Sequence, residues 1–476
     1  MTASRVATWA RKRSDIFAPV AVGIWSGAIA IAPSLGMKFA LLAPGAAGGV
    51  IWWTARRPQR WLILFFLCLL LTPPLALSSL PLGDSGVHAA PSLAALGLLV
   101  GVLRMQQWRT KISPLTAAFG VFLAMLLVSL SFAALYSGPD VALRSLLRVG
   151  LFAIGVYVFL WALAGPRGAN DHSLRFARFL FGVAVVAAAF ACADFYFQFP
   201  APAGFENQFV WLDEGVFRRA QGLFYEASTL GNFCAFFLMM TIVGFFRPRG
   251  ESPCSRPALA AAGVIFAGAL ILSYSRASIL AVVAASVTLM ILRRARVGRI
   301  LAGAGAAVAV AVVAVRFALP AFADSYWDRI VVTFSYFDSS PNGVLSGRLA
   351  SWTVLTNFIA SQPWHALFGI GYKTLPYTRF VGVKVVADNT YLSLLVETGI
   401  IGLAAFLVLN GLILRSGLRA ARSGNPRAAF LGEWIFCFWV GEMIQMLSGD
   451  LITYWRVLPV YFWVLGTAVR ESDGVR

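Results

Sequence analysis

Three stretches of this chain carry arginines where a hydrophobic protein has no topological use for them. Arg218 and Arg219 precede the stretch QGLFYEAS, Arg276 stands at the centre of SYSRAS, and Arg348 opens GRLASW. A guanidinium remains cationic at any relevant pH and offers a planar fork of N–H donors, so a converging set of them can grip a diphosphate bidentately. The carboxylates of the same stretches form a second set: Glu226 in FYEAS, Asp388 in VADNTY, and Glu397 nine residues further on. A carboxylate within reach of a hydroxyl can act as a general base, and partial burial raises its pKa toward that task. Nine residues is about 13.5 Å of helix and half a rotation, so Asp388 and Glu397 cannot serve one atom. Glu397 is therefore expected to be buried and structural, hydrogen-bonded to a neighbouring helix.

Each of these residues has a plainer use as well. A membrane-end arginine also serves as an interfacial anchor or as half of a buried ion pair, the reading that best suits Arg144 and Arg148, one helical turn apart where a span begins. Asp388 is well placed to cap the helix that follows it. Arg276 resists such a reading more firmly, because it sits between two apolar runs with almost no loop.

The elements that must position these side chains are membrane helices. Of 476 residues, 59% are hydrophobic and 12% charged, with a mean hydropathy of +0.77, which no water-soluble interior can absorb. Apolar runs predict an all-α bundle of about fourteen spans, each long enough to cross about 30 Å of hydrocarbon: 16–35, 37–54, 60–79, 90–104, 113–136, 146–165, 177–198, 227–246, 257–274, 277–292, 300–319, 387–413, 428–447 and 452–469. The net charge of +19 gathers in clusters at span ends, Arg11 to Arg13, Arg56 to Arg60, Arg104 to Lys111, Arg293 to Arg299 and Arg415 to Arg427. Such clusters set topology, with both ends cytoplasmic, and do not form a nucleic-acid surface. The N-terminal span is expected to remain as an anchor.

Two segments on the outer side, 199–226 and 320–386, exceed what a connection needs, and loops of that size usually carry function. Within the second, Ser346 to Ala360 places Leu349, Trp352, Leu355 and Phe358 on one side. This predicts an amphipathic helix roofing a cavity that opens outward. Three parts follow: N-terminal helices over 1–214, a catalytic core over 215–413 that includes the loop 320–386, and C-terminal helices over 414–476.

Other chemistries are excluded or unsupported. His88, His172 and His365 are too scattered for a paired-histidine metal site or a Ser-His-Asp arrangement, so no metal is expected. Cys68, Cys192, Cys234, Cys254 and Cys437 form no framework and read as packing residues. The cytoplasmic loops are short and no phosphate-binding GxxxxGK[ST] occurs, which leaves no place for ATP-driven transport. No cofactor is called for.

The order R-x-Q-G-L-F-x-E-x-S, S-R-A-S, G-R-x-x-x-W with G-I-G-Y, and D-N-T-Y-L-x-L-L-x-E-x-G-I-x-G-L resembles the O-antigen ligase and Wzy-type O-antigen or exopolysaccharide polymerase superfamily. The likeness covers about residues 215–413. It implies a GT-C-like membrane glycosyltransferase in the bacterial inner membrane, its active site facing the periplasm. Its implied partners are undecaprenyl-diphosphate-linked oligosaccharides as donor and acceptor, membrane lipids, and a chain-length regulator or flippase. It also implies that Arg219, Arg276 and Arg348, with Arg218 beside them, bind the diphosphate, and that Asp388 or Glu226 is the base, with Arg276 acting in catalysis. Asn389, Tyr391 and Tyr372 are expected against the substrate. Trp211, Tyr225, Trp327, Tyr336 and Trp352 could stack on sugars or form the interfacial belt. The ligase branch has His-Asn where this chain has Asp388-Asn389, which favours the polymerase branch. A ligase, and a transporter for the same lipid intermediates, remain as alternatives.

Overall fold

The computed structural model describes residues 48–54, 56, 59–73, 89–108, 112–165, 173–201, 208–212, 215–248, 250–293 and 347–473, with scattered positions between 316 and 335. The chain divides into two compact units, residues 1–63 with 95–105, and residues 64–94 with 106–476. Helices α1 (Gln59–Leu71) and α2 (Ala89–Leu103) run from one unit into the other. In the first unit, Gly97 lets α2 lie against the indole of Trp61, since a β-carbon there would come 2.7 Å from the ring.

The second unit holds α3 (Pro114–Ser137), α4 (Pro139–Ala164) and α5 (Ser173–Phe197), the hairpin β1 (Phe209–Leu212) and β2 (Gly215–Arg218), then α6 (Ala227–Phe245), α7 (Arg256–Leu272) and α8 (Arg276–Leu292). It continues through α9 (Arg348–Ser361), the single turn α10 (His365–Phe368), α11 (Thr390–Ala421), α12 (Pro426–Gln445) and α13 (Leu458–Asp473). Proline at the first turn of α3, α4, α7 and α12 starts each helix where its missing N–H costs nothing. Ser113 and Asn425 cap α3 and α12 through their side chains.

Helices α3, α4, α5, α6 and α11 are long and apolar enough to cross a membrane, and four shorter apolar helices accompany them. The protein is a multi-pass, mostly helical membrane protein. The expected span 16–35 lies outside the described residues, and 37–54 and 300–319 lie largely outside them. One departure from an all-α reading is the antiparallel hairpin, in register Phe209 with Arg218 and Leu212 with Gly215. Its alternating Phe, Val and Trp residues suit a pleated surface better than a helix.

Small residues set the packing, as expected where lipid removes the hydrophobic drive between helices. A β-carbon on Gly441 would overlap the Ala281 carbonyl between α12 and α8, and one on Gly466 would lie 2.7 Å from the Phe159 carbonyl between α13 and α4. At the end of the bundle where α6 and α8 finish and α12 begins, Glu433 is clasped by Arg247 at 2.9 Å and by Arg293. One buried acid thus bridges Arg293 of the basic clusters and Arg247, which Glu251 also pairs at 3.2 Å.

Candidate functional site

The opposite end of the second unit gathers five chain segments: the α3–α4 junction, the hairpin and the residues after it, the α7–α8 turn, residues 347–389, and the α12–α13 connection. Backbone bonds hold them together. Ala220 N–H donates to Leu272 O (3.0 Å), Thr390 N–H donates to Met446 O (2.9 Å), and the Ser145 hydroxyl donates to Tyr372 O.

A helix forms over the expected segment, as α9. In α9, Leu355 and Phe358 are buried with Ile370, Leu375, Val381 and Val385, and with Val396 of α11. Leu349 and Trp352 are half-buried, and the Trp352 indole donates to Ala387 O (2.8 Å). The apolar side of α9 is therefore turned onto the loop that follows it and onto α11.

The two longest motifs of the sequence interlock. Helix α11 is interrupted at Gly399, whose φ of 70° and ψ of −178° break the ladder. The carbonyls of Val396 and Glu397, left without helical donors, accept instead from Ile370 N–H (3.1 Å) and Gly371 N–H (2.8 Å). A β-carbon at Gly399 would overlap Leu367 O, and one at Gly369 would overlap Glu397 O, so the chains cross where only glycine fits. The Gly369-Ile370-Gly371-Tyr372 motif is thereby a fastening of the roof to the helix.

Glu397 is 1% exposed and accepts from Leu375 N–H (3.3 Å) and the Ser393 hydroxyl (3.1 Å). It is structural as expected, but it holds the roof loop and its own helix; the expected bond to a neighbouring helix is not what its partners show. Beside it, Lys373 pairs with Asp450 of the α12–α13 connection.

Asp388 is not the helix cap. That role belongs to Asn389, whose side chain accepts from Leu392 N–H (3.0 Å). Asp388 lies in the left-handed region with φ 44°, which aims its half-exposed carboxylate at Arg348; the Nε–Oδ2 separation is 3.4 Å, an ionic contact in which Nε makes no hydrogen bond. The carboxylate of Glu226 stands at the N-cap position of α6 and accepts from the Thr229 hydroxyl (3.3 Å) without capping the backbone. Both carboxylates bear on one phenol, that of Tyr454. Burial chiefly pushes Tyr454 well above its ordinary pKa; the charges of Glu226, Asp388 and Glu442 add to the rise, and a hydrogen bond with Ser228 opposes it.

Arg219 donates from Nε to Ser273 O (2.8 Å), which lays it over the turn that leads to Arg276, exposed at the start of α8. That turn abuts the first turns of α6, where Gly231 faces Ser275 and Ser278. Arg218, its neighbour in sequence, turns inward. It is 8% exposed, paired with Asp194 at 2.6 Å and bonded to Phe199 O. Asp194 also accepts from Gly222 N–H (3.1 Å), so this pair fixes the hairpin onto α5.

Arg144 lies over the Tyr377 ring at 5.3 Å, and Arg148 acts on Tyr372; both serve the roof loop from beneath. Tyr372 is 1% exposed, so its ring does not offer a face to sugar, contrary to expectation. Burial pushes its phenol well above the ordinary value, with Asp450 and Glu397 adding and Arg148 opposing. Tyr391 donates its hydroxyl to Met443 O (2.9 Å). Tyr336, His88 and His172 lie outside the described residues, and Trp327 is exposed.

Sequence reasoning passed over Lys373, Asp450, Tyr454 and Arg456. The last donates to Leu69 O (2.8 Å), Thr72 O (2.8 Å) and Leu223 O, tying three connections together. The rule that found Arg276, a charge off the topological side, would have found Lys373, Asp450 and Arg456 as well.

Fold and site together define a multi-pass helical membrane protein in which Arg348, at the start of α9, is held against Asp388. Residues 261–407, from α7 through the roof and into α11, match the family model Wzy_C, described as O-antigen ligase, which supports the likeness to the O-antigen ligase/Wzy superfamily over that stretch. The match includes Arg276, Arg348, Asp388 and both interlocking motifs, and begins after Arg219 and Glu226. No curated protein matches the chain at a significant level.

Proposed function

We propose that the protein is a GT-C-like glycosyltransferase of about fourteen spans that polymerises undecaprenyl-diphosphate-linked oligosaccharide units on the outer face of the bacterial inner membrane. A hydroxyl of the incoming lipid-linked unit attacks the anomeric carbon of the growing chain. The bond from that carbon to the diphosphate breaks, the electron pair leaves with the diphosphate, and the hydroxyl proton passes to a carboxylate. The leaving group carries the activation, so no ATP is needed. The protein must neutralise developing phosphate charge and orient the acceptor. Arg219, Arg276 and Arg348 take the first task, and Asp388 or Glu226 the second.

The observation that carries this reading is the ionic contact of Arg348 at the start of the roof helix with Asp388 at 3.4 Å, which leaves the Nε donor unsatisfied. Arg218, being paired with Asp194, is left out of the diphosphate set. Replacement of the ligase-branch His-Asn by Asp388-Asn389 supports polymerisation. The printed description of the matched family favours a second reading, ligation of a finished glycan to another acceptor.

Purified protein given lipid-linked repeat units alone tests the proposal. A ladder of extended chains is expected, and Arg276→Ala or Arg348→Ala should reduce it at least about 100-fold while the variants still insert. Single transfer to an added acceptor with no ladder would support the ligase instead. Full ladders from both variants would overturn the arginine assignment.

A further inference from the structure

Helix α11 is longer than a membrane requires. Beyond its break at Gly399 the run from Ile400 to Ala421 alone spans about 33 Å, whereas the hydrocarbon is about 30 Å thick. With Thr390 at the roofed end, the apolar run closes at Leu414 and the charged residues after it reach the lipid headgroups at the other end. That emergent stretch carries Arg415, Arg419 and Arg422, spaced by four and three residues and hence on one face.

These three arginines border a cleft of about 490 Å³ whose wall also includes Ser423, Ser472 and Asp473. All three are exposed, and no ion pair among the described residues involves them. The contrast with Arg247 and Arg293 at the same end, both clasped to Glu433, is direct. The Asn425 amide donates to the Glu471 carbonyl (3.1 Å) and carboxylate (3.3 Å), which ties the loop after α11 to α13 and holds that acid. Asp473 is the single carboxylate of the lining, so the cleft is net cationic. Topology and the helix-end dipole account for the sign of the charge, but neither requires a hollow with two hydroxyls beside three guanidinium forks.

We propose that this cleft binds the phosphodiester headgroup of an anionic membrane lipid. The arginine forks match phosphate oxygens bidentately, the Ser423 hydroxyl, which accepts from Asn425 N–H, can donate to a remaining one, and Leu418 of the lining offers apolar contact to the first acyl carbons. A soluble phosphate has the same chemistry, but the emergence of the cleft at headgroup depth selects the lipid. The inference is independent of the chemistry proposed at the roofed end.

Native mass spectrometry of the full chain, released from mixed micelles of phosphatidylglycerol, cardiolipin or phosphatidylcholine, tests it. Anionic lipid is expected to be retained over phosphatidylcholine. Each basic residue near a membrane surface is worth about a factor of five, so R415A/R419A/R422A should weaken retention about 100-fold. Should that variant fail to insert, R415Q/R419Q keeps Arg422 and Arg427 as topological signals and should weaken retention about 25-fold. Losses below about threefold would overturn the site, as would equal retention of phosphatidylcholine. Displacement of the lipid by millimolar inorganic phosphate would overturn the lipid assignment in favour of a soluble anion.

Discussion

At the residue scale, Asp388 and Arg348 separate activity from stability. Their side chains are 43% and 27% exposed, so the pair is screened and contributes less than about 1 kcal/mol. Asp388→Asn should therefore leave the melting temperature in detergent nearly unchanged. If Asp388 is the base, the same variant should lower chain extension about 100-fold or more; full activity would move the role to Glu226. Glu397 should show the reverse balance. Glu397→Ala leaves the Leu375 amide buried without an acceptor and Lys373 with one fewer neighbouring carboxylate, at about 2–4 kcal/mol, read as a loss of thermal stability. The raised phenols of Tyr372 and Tyr454 carry a pH consequence. Folding holds them protonated while the unfolded chain ionises near pH 10, so their contribution is full below that pH and is lost as pH rises through the folded values. Absorbance titration should show these two phenols silent until alkaline unfolding, and Tyr454→Phe should remove one of them. The sequence could identify the arginines, since each was an exception to a topological rule. It could not tell Arg218 from Arg219, because the difference is Asp194, the lone acid of α5.

At the scale of elements, α11 shows what periodicity hides. Its apolar pattern reads as one span over 387–413, yet the helix breaks at Gly399 and runs on to Ala421. The break is dictated by a crossing chain, and hydropathy carries no trace of a crossing chain. Gly399→Ala would need a left-handed φ and would overlap Leu367 O, so it should destabilise by about 3 kcal/mol or more. A pulse-proteolysis comparison with a glycine to alanine change at Gly411, where nothing stands within 4 Å, checks this. The roof helix was legible because Leu355 and Phe358 follow helical spacing in a segment too polar to span. The hairpin before α6 was missed because a single pair of four-residue strands leaves too little alternation to separate from a loop.

At the scale of the whole molecule, the membrane class followed from composition, since so much apolar surface has one solvent. Which helix lies beside which did not follow. Helices that are apolar all round give no facing stripe, and the neighbours here are chosen by glycines such as Gly441 and Gly466 and by buried polar links. One such link spans α6, α12, α8 and α13: Asn232 donates to Glu442 and Gln445, Gln445 donates to Ser278, and the Tyr461 hydroxyl donates to Asn232. At the far end, Glu433→Gln would leave Arg293 without its carboxylate and Arg247 with Glu251 alone. Insertion should persist, with stability reduced by about 3 kcal/mol or more, measurable as a lower melting temperature in detergent.

The glycine crossing between residues 369 and 399 limits how the roof can move. Because the loop amides complete the hydrogen bonding of the broken helix, that seam cannot unzip without stranding backbone carbonyls in the membrane. The ceiling and the helix beneath it travel as one rigid piece there.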